Sequence, residues 1–85
     1  MLINIGFGNI INTDKIITMI SPDSAPAKRL LAYSKEKKRL IDATQGRKTK
    51  AIIIMENDSI VLSALQPDTI AGRFEEKHKD SEVSD

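Results

Sequence analysis

Ala51-Ile52-Ile53-Ile54-Met55 is apolar at every position, and Ile60-Val61-Leu62-Ser63-Ala64-Leu65 nearly so. Both runs are short, bounded by polar residues and rich in β-branched side chains, so they read as strands. A strand with one face in water alternates apolar and polar residues. These do not, so both of their faces must be shielded. That is a severe demand on 85 residues, because a domain this small buries only a modest fraction of its surface. One long helix and one short one cover a single face of a sheet. The other face wants a second layer, and a copy of the same chain is the simplest cover. The alternative is that the N-terminal strands and the C-terminal helix suffice. Homo-oligomerisation is the expectation.

The remaining elements follow from local signals. Residues 2–5 read as a first strand, broken by Gly6-Phe7-Gly8-Asn9 and continued in extended form by Ile10-Ile11. Lys15-Ile16-Ile17-Thr18-Met19-Ile20 reads as a second strand. Ser21-Pro22-Asp23-Ser24-Ala25-Pro26 starts a helix, with Ser24 as the N-cap candidate and Ser21 as the alternative. The helix runs to about Lys37, with Ala27, Leu30, Leu31 and Ser34 on one face. Residues 40–44 make a further strand, ahead of the two apolar runs. Pro67 and Asp68 open a short second helix that ends near Phe74. The expected fold is α+β: a largely antiparallel β-sheet with one longer helix and one short C-terminal helix. Residues 1–74 form a single domain, and the charged, almost apolar-free residues 75–85 read as a disordered acidic tail.

Charge is unevenly spread behind a net value of +1. Lys28, Arg29, Lys35, Lys37, Lys38, Arg39, Arg47, Lys48 and Lys50 face only Glu36 and Asp42 within residues 28–50. The C-terminal third is acidic. The bland reading is a solvated helix face and a solubilising tail; the sharper one is a focused positive surface. Gly46-Arg47-Lys48-Thr49-Lys50 separates residues 40–44 from Ala51–Met55 and reads as the tip of a hairpin. Arg47 forks two hydrogen bonds to phosphate or guanine, whereas Lys48 and Lys50 act as mobile point charges. Gln45 and Thr49 add neutral contacts to phosphate. Aromatics are few (Phe7, Tyr33 and Phe74), which favours duplex DNA over stacked single strands or RNA.

Catalysis finds little support. The single histidine, His78, lies in the expected tail, and there is no cysteine, so no thiolate nucleophile, disulfide or Cys-based metal site arises. Serines lack an ordered histidine to activate them. Asp14, Asp23 and Asp42 show no spacing that pairs them for acid–base work, and turn or capping roles suit the first two. Gly6-Phe7-Gly8 lacks the third glycine and following helix of a dinucleotide loop, and reads as a bend or bulge. No enzyme activity, cofactor or metal is expected. Met1-Leu2-Ile3-Asn4-Ile5-Gly6 lacks the marks of a secretory signal, and no apolar stretch approaches the ~20 residues that span a bilayer. A cytoplasmic location away from membranes is expected.

Four blocks together resemble the RemA family of small bacterial regulators of extracellular-matrix (biofilm) genes. They are Asn4-Ile5-Gly6-Phe7-Gly8-Asn9-Ile10, Ser21-Pro22-Asp23-Ser24-Ala25-Pro26-Ala27-Lys28-Arg29, Leu40-Ile41-Asp42-Ala43-Thr44-Gln45-Gly46-Arg47-Lys48-Thr49 and Leu62-Ser63-Ala64-Leu65-Gln66-Pro67-Asp68-Thr69. The resemblance covers roughly residues 1–74. It implies a nucleoid-associated, DNA-binding transcriptional regulator, without enzyme activity, assembled as a ring-like homo-oligomer that presents basic loops to promoter DNA. It implies DNA contact by Arg47 and Lys48, and by Lys15 ahead of the second strand. The family commonly has arginine where this chain has Lys15 and Lys48, so charge is retained there without the planar fork. Lys50 and Lys28 are outer candidates. An RNA-binding module, and a ring that binds acidic protein, remain as rival readings.

Overall fold

The computed structural model describes the backbone of residues 1–83 and the side chains of residues 1–76. Strands β1 (Leu2–Asn4) and β2 (Ile10–Asn12) form an antiparallel ribbon. A 3-10 turn, Thr13–Lys15, leads into β3 (Ile16–Ile20). Helix α1 (Ala25–Glu36) follows, then β4 (Leu40–Asp42), β5 (Ala51–Met55), β6 (Ile60–Ser63) and helix α2 (Pro67–Val83). The last four strands to form the main sheet stand in the order β3-β5-β6-β4.

Local chemistry explains the helix ends. The Ser24 side chain accepts a hydrogen bond from the Ala27 N–H, so Ser24 is the N-cap, and Pro26 sits in the first turn where a missing N–H is harmless. At the other end, Lys38 adopts φ +57°, which turns the chain out of the helix and toward β4. The Arg39 N–H then donates to the Ser34 carbonyl at 2.9 Å.

The α+β class holds, and three details differ from the sequence expectation. First, β4 and β5 are not a hairpin. β4 pairs in parallel with β6, which lies between them, and β5 pairs antiparallel with both β3 and β6. The physical reason is competition for the centre of the sheet. The two runs without alternation take the central places, where both faces are covered. The run carrying exposed Ile41 and Asp42 is left at the edge. Second, α2 covers 17 residues and so continues past Phe74. The charged stretch after Phe74 includes Glu and Lys, which favour helix without any apolar face to bury. His78 and the rest of the expected tail beyond residue 76 fall outside the described side chains.

Third, the chain covers both faces of its own central strands. On one face Ile53, Ala51 and Val61 meet Ile3, Ile5, Ala43 and Ile70, from the N-terminal ribbon, the loop after β4 and α2. On the other, Ile52, Ile60 and Leu62 meet Ala27 of α1, with Leu30, Leu31 and Ile20 around them. Ala51, Ile52 and Ile53 have no exposed surface at all. The demand for a second layer, which pointed to another copy, is met at these strands within one protomer by the alternative arrangement. Large apolar side chains do stay exposed elsewhere, among them Leu2, Ile10, Ile17 and Ile41.

One buried polar residue fastens these layers. The Ser63 hydroxyl is fully buried; it donates to the Ile5 carbonyl at 2.7 Å and accepts from the Leu65 N–H at 3.1 Å. Ser63→Ala would leave the buried Ile5 carbonyl and the part-buried Leu65 N–H without this partner, and should cost about 1–3 kcal/mol. Ile17→Ala, at a site 60% exposed, should stay within about 0.5 kcal/mol of the parent. Urea midpoints on the full chain check both; equal effects would contradict the assigned role of Ser63.

Candidate nucleic-acid interface

The basic segment is a crossover, and its shape follows from the sheet order. Leaving β4 at the edge, the chain must pass over the end of β6 to reach β5. It is pinned to β6 on both sides: the Ala43 N–H donates to the Leu62 carbonyl at 3.0 Å, and the Lys50 N–H to the Ser63 carbonyl at 2.9 Å. Residues 44–49 arch between these anchors. The Asp42 carboxylate starts the arch by accepting from the Thr44 hydroxyl at 2.6 Å and the Thr44 N–H at 2.9 Å. These two bonds, the hydroxyl first, hold the Asp42 carboxyl below its ordinary pKa, against a small opposing effect of burial. The Arg47 N–H closes the turn on the Thr44 carbonyl at 3.0 Å. Gln45 and Gly46 both take positive φ, +55° and +78°. Glycine accepts this readily and glutamine does not, so the turn is held by its anchors rather than by preference.

Arg47, Lys48 and Lys50 line one open recess of about 460 Å³. All three are exposed, and among the described residues no carboxylate pairs with them. The floor is apolar: Ala64 and Leu65 from the segment after β6, with Gly6 and Phe7 from the loop between β1 and β2. Lys48 and Lys50 also border a smaller hollow of about 100 Å³ beside Ser21, Pro22 and Asp23, just ahead of α1. The positive end of the α1 dipole therefore lies on the same side as the cations.

The other two candidates sit elsewhere. Lys15 precedes β3, at the end of the sheet opposite Lys50, and its ammonium lies 3.4 Å from the Glu56 carboxylate. Both partners are well exposed, so the pair holds Lys15 only weakly. Along β5 the span from Lys50 to Glu56 is roughly 20 Å at strand rise. Lys28 is exposed on α1 and borders neither of the recesses formed by the basic segment. One protomer thus gathers Arg47, Lys48 and Lys50 and leaves Lys15 and Lys28 apart.

Sequence reasoning missed Phe7 and Leu65 as neighbours of the cations. A signal existed for Phe7: a large aromatic between two glycines is suited to display on a turn rather than to burial in a strand.

A small α+β chain with a cationic arch over its sheet end finds its counterparts among regulatory proteins. The family model described as RemA-like, extracellular matrix regulatory protein A-like, matches residues 2–74. A protein of Dictyoglomus turgidum is 54% identical over 83 residues, covering 98% of each chain. One from Carboxydothermus hydrogenoformans is 51% identical over 80 residues, covering 94% of this chain and 92% of its own. One from Clostridium kluyveri is 48% identical over 84 residues, covering 99% and 91%. Each of the three carries the name "Putative regulatory protein". The chain belongs to the RemA-like family. Among the described residues, no helix is long and apolar enough to cross a membrane.

The Asp42 contacts set the pH behaviour of the arch. Because the folded carboxyl is held low, its stabilising effect is complete above the ordinary carboxylate range and is lost as pH falls through the folded value. Asp42→Ala should speed hydrogen exchange at the Thr44 and Arg47 amides at neutral pH. Asp42→Asn, which keeps an acceptor oxygen, should do so less. Equal exchange in all three proteins would show that the arch does not depend on this turn.

Proposed function

We propose that this chain is a transcriptional regulator of extracellular-matrix genes that grips duplex promoter DNA as a ring-like homo-oligomer. The observation that carries the reading is the convergence of Arg47, Lys48 and Lys50 on one exposed recess without a carboxylate among the described residues. Three unpaired cations on an anchored backbone repel one another, and an approaching polyanion relieves that repulsion. Phosphate contacts of this kind set affinity and register, while sequence preference comes from the shape and bendability of the duplex. Such a role implies residence in the cytoplasm, with the nucleoid.

A single arch offers few contacts. Repetition around a closed ring turns weak contacts into tight binding by effective concentration. Lys15, at the far end of the sheet, serves in this reading as an outlying contact on the same duplex or on the stretch held by a neighbouring subunit, and Lys28, in the first turn of α1, as another. Family membership supports the regulatory part of the proposal; the duplex and the ring rest on the charge geometry and on the resemblance.

The test is the salt dependence of binding to a promoter-length duplex. The log–log slope should be near −0.9 for each phosphate neutralised. Arg47→Ala and Lys48→Ala should each weaken binding and flatten that slope, with particle mass by light scattering unchanged. A flat salt response in the parent protein would overturn phosphate gripping. Monomeric Arg47→Ala would reassign the arch to assembly, and tighter binding to RNA at the same salt would replace DNA as the partner.

A further inference from the structure

Phe7 is the one aromatic ring in the cationic recess, and it is 51% exposed. Its backbone has φ +54°, between Gly6 at +109° and Gly8 at +77°. A bulky side chain in this region is a conformational outlier that persists only where the surroundings over-determine it. They do so here. The Ile5 N–H donates to the Asn9 carbonyl at 2.8 Å, and the Asn9 N–H returns to the Gly6 carbonyl at 3.0 Å. The Asn4 side chain accepts from the Gly6 N–H at 2.7 Å, and the Asn9 amide group donates to the Gly6 carbonyl at 3.0 Å. A side chain on Gly6 would lie against Leu65, whose nearest atom would be 3.5 Å away, so the loop rests closely on the recess floor. Ser63 ties the same loop, through Ile5, to the point where Lys50 is anchored.

The loop therefore holds an apolar ring out toward solvent, at a backbone cost, beside three cations. A core role does not explain it, because the ring is half exposed. Burial of Leu65 does not explain it either, because any apolar residue with an ordinary backbone would serve. Cations that hold phosphates beside an apolar side chain that enters between base pairs are the recurring chemistry of duplex-bending proteins.

Building on the duplex-binding reading above, we propose that Phe7 is a wedge. It enters a base step of the DNA gripped by Arg47, Lys48 and Lys50, partly unstacks it and kinks the duplex at that step. Flexible pyrimidine–purine steps open at least cost and would be preferred. The wedge supplies a source of sequence preference that the phosphate contacts lack.

The test uses the full-length protein and duplexes carrying 2-aminopurine, whose fluorescence rises on unstacking, at successive steps. The parent protein should raise the signal at a few steps. Phe7→Asn removes the ring and suits positive φ, so it should fold at least as stably. It should bind about tenfold more weakly, on the scale of one lost stacking contact, with the same salt slope and without the fluorescence rise. Phe7→Leu should keep part of the rise, as an apolar wedge. Arg47→Ala, at saturating protein, should keep the rise while flattening the salt slope. Unstacking by Phe7→Asn at the parental level would overturn the wedge and leave phosphate gripping intact. Dissociation of the Phe7→Asn oligomer would reassign Phe7 to a subunit contact. A parent protein that binds no duplex would remove the wedge together with the reading it rests on.

Discussion

The end of β6 is where the molecule is tied together, and Ser63 is the knot. Its hydroxyl holds the Ile5 carbonyl, and with it the start of the glycine loop. Its own carbonyl holds the Lys50 N–H, and with it the end of the basic arch. Its Cα stands opposite Ala51 in the antiparallel pair that begins β5. A hydroxyl can serve this way in a dry core because both of its hydrogen-bonding roles are satisfied, as donor to Ile5 and acceptor from Leu65. The N-terminal loop and the basic arch, about 40 residues apart in the chain, are positioned by one buried side chain and the peptide it belongs to.

From that knot the functional surface follows. Because β6 separates β4 from β5, the connecting segment has to cross the sheet end, and crossing it lifts Arg47 and Lys48 into solvent between two fixed points. A tight hairpin would have placed the same residues at the tip of a two-strand projection, free to sway. The arch instead brings them over the floor made by Ala64 and Leu65 and beside Phe7. Two of the non-glycine residues with positive φ, Gln45 and Phe7, fall in this region beside like charges at close quarters; Lys38 and Asp58 take the same conformation at turns elsewhere. The rest of the described fold is well satisfied, with no buried side-chain nitrogen or oxygen left unpartnered among the described residues.

Much of the fold was legible because its signals are short-range. Ser24 capped α1 as its sequence context indicated, and β5 runs from Ala51 to Met55 as its apolar run did. The trio Arg47, Lys48 and Lys50 was legible as a cluster because neighbours in sequence stay neighbours in space. Lys15 and Lys28 were read by resemblance and by charge, and no local rule tells how far from the arch a folded chain carries them. The missing alternation in Ala51–Met55 correctly announced two covered faces; what covers them was a separate question, decided by where the ribbon and α2 pack.

The sequence by itself determined the element types, the two strands that must be central and the charge of the arch, since propensity, periodicity and local composition carry those. Tertiary structure alone decided that β6 enters between β4 and β5, that the second face is covered from within the chain, and that Phe7 meets the cations. Each of these is a long-range choice among strands and layers of similar local preference. It is settled by which arrangement buries the most apolar surface while leaving no peptide group unpaired, a property of the whole chain that no window of it contains.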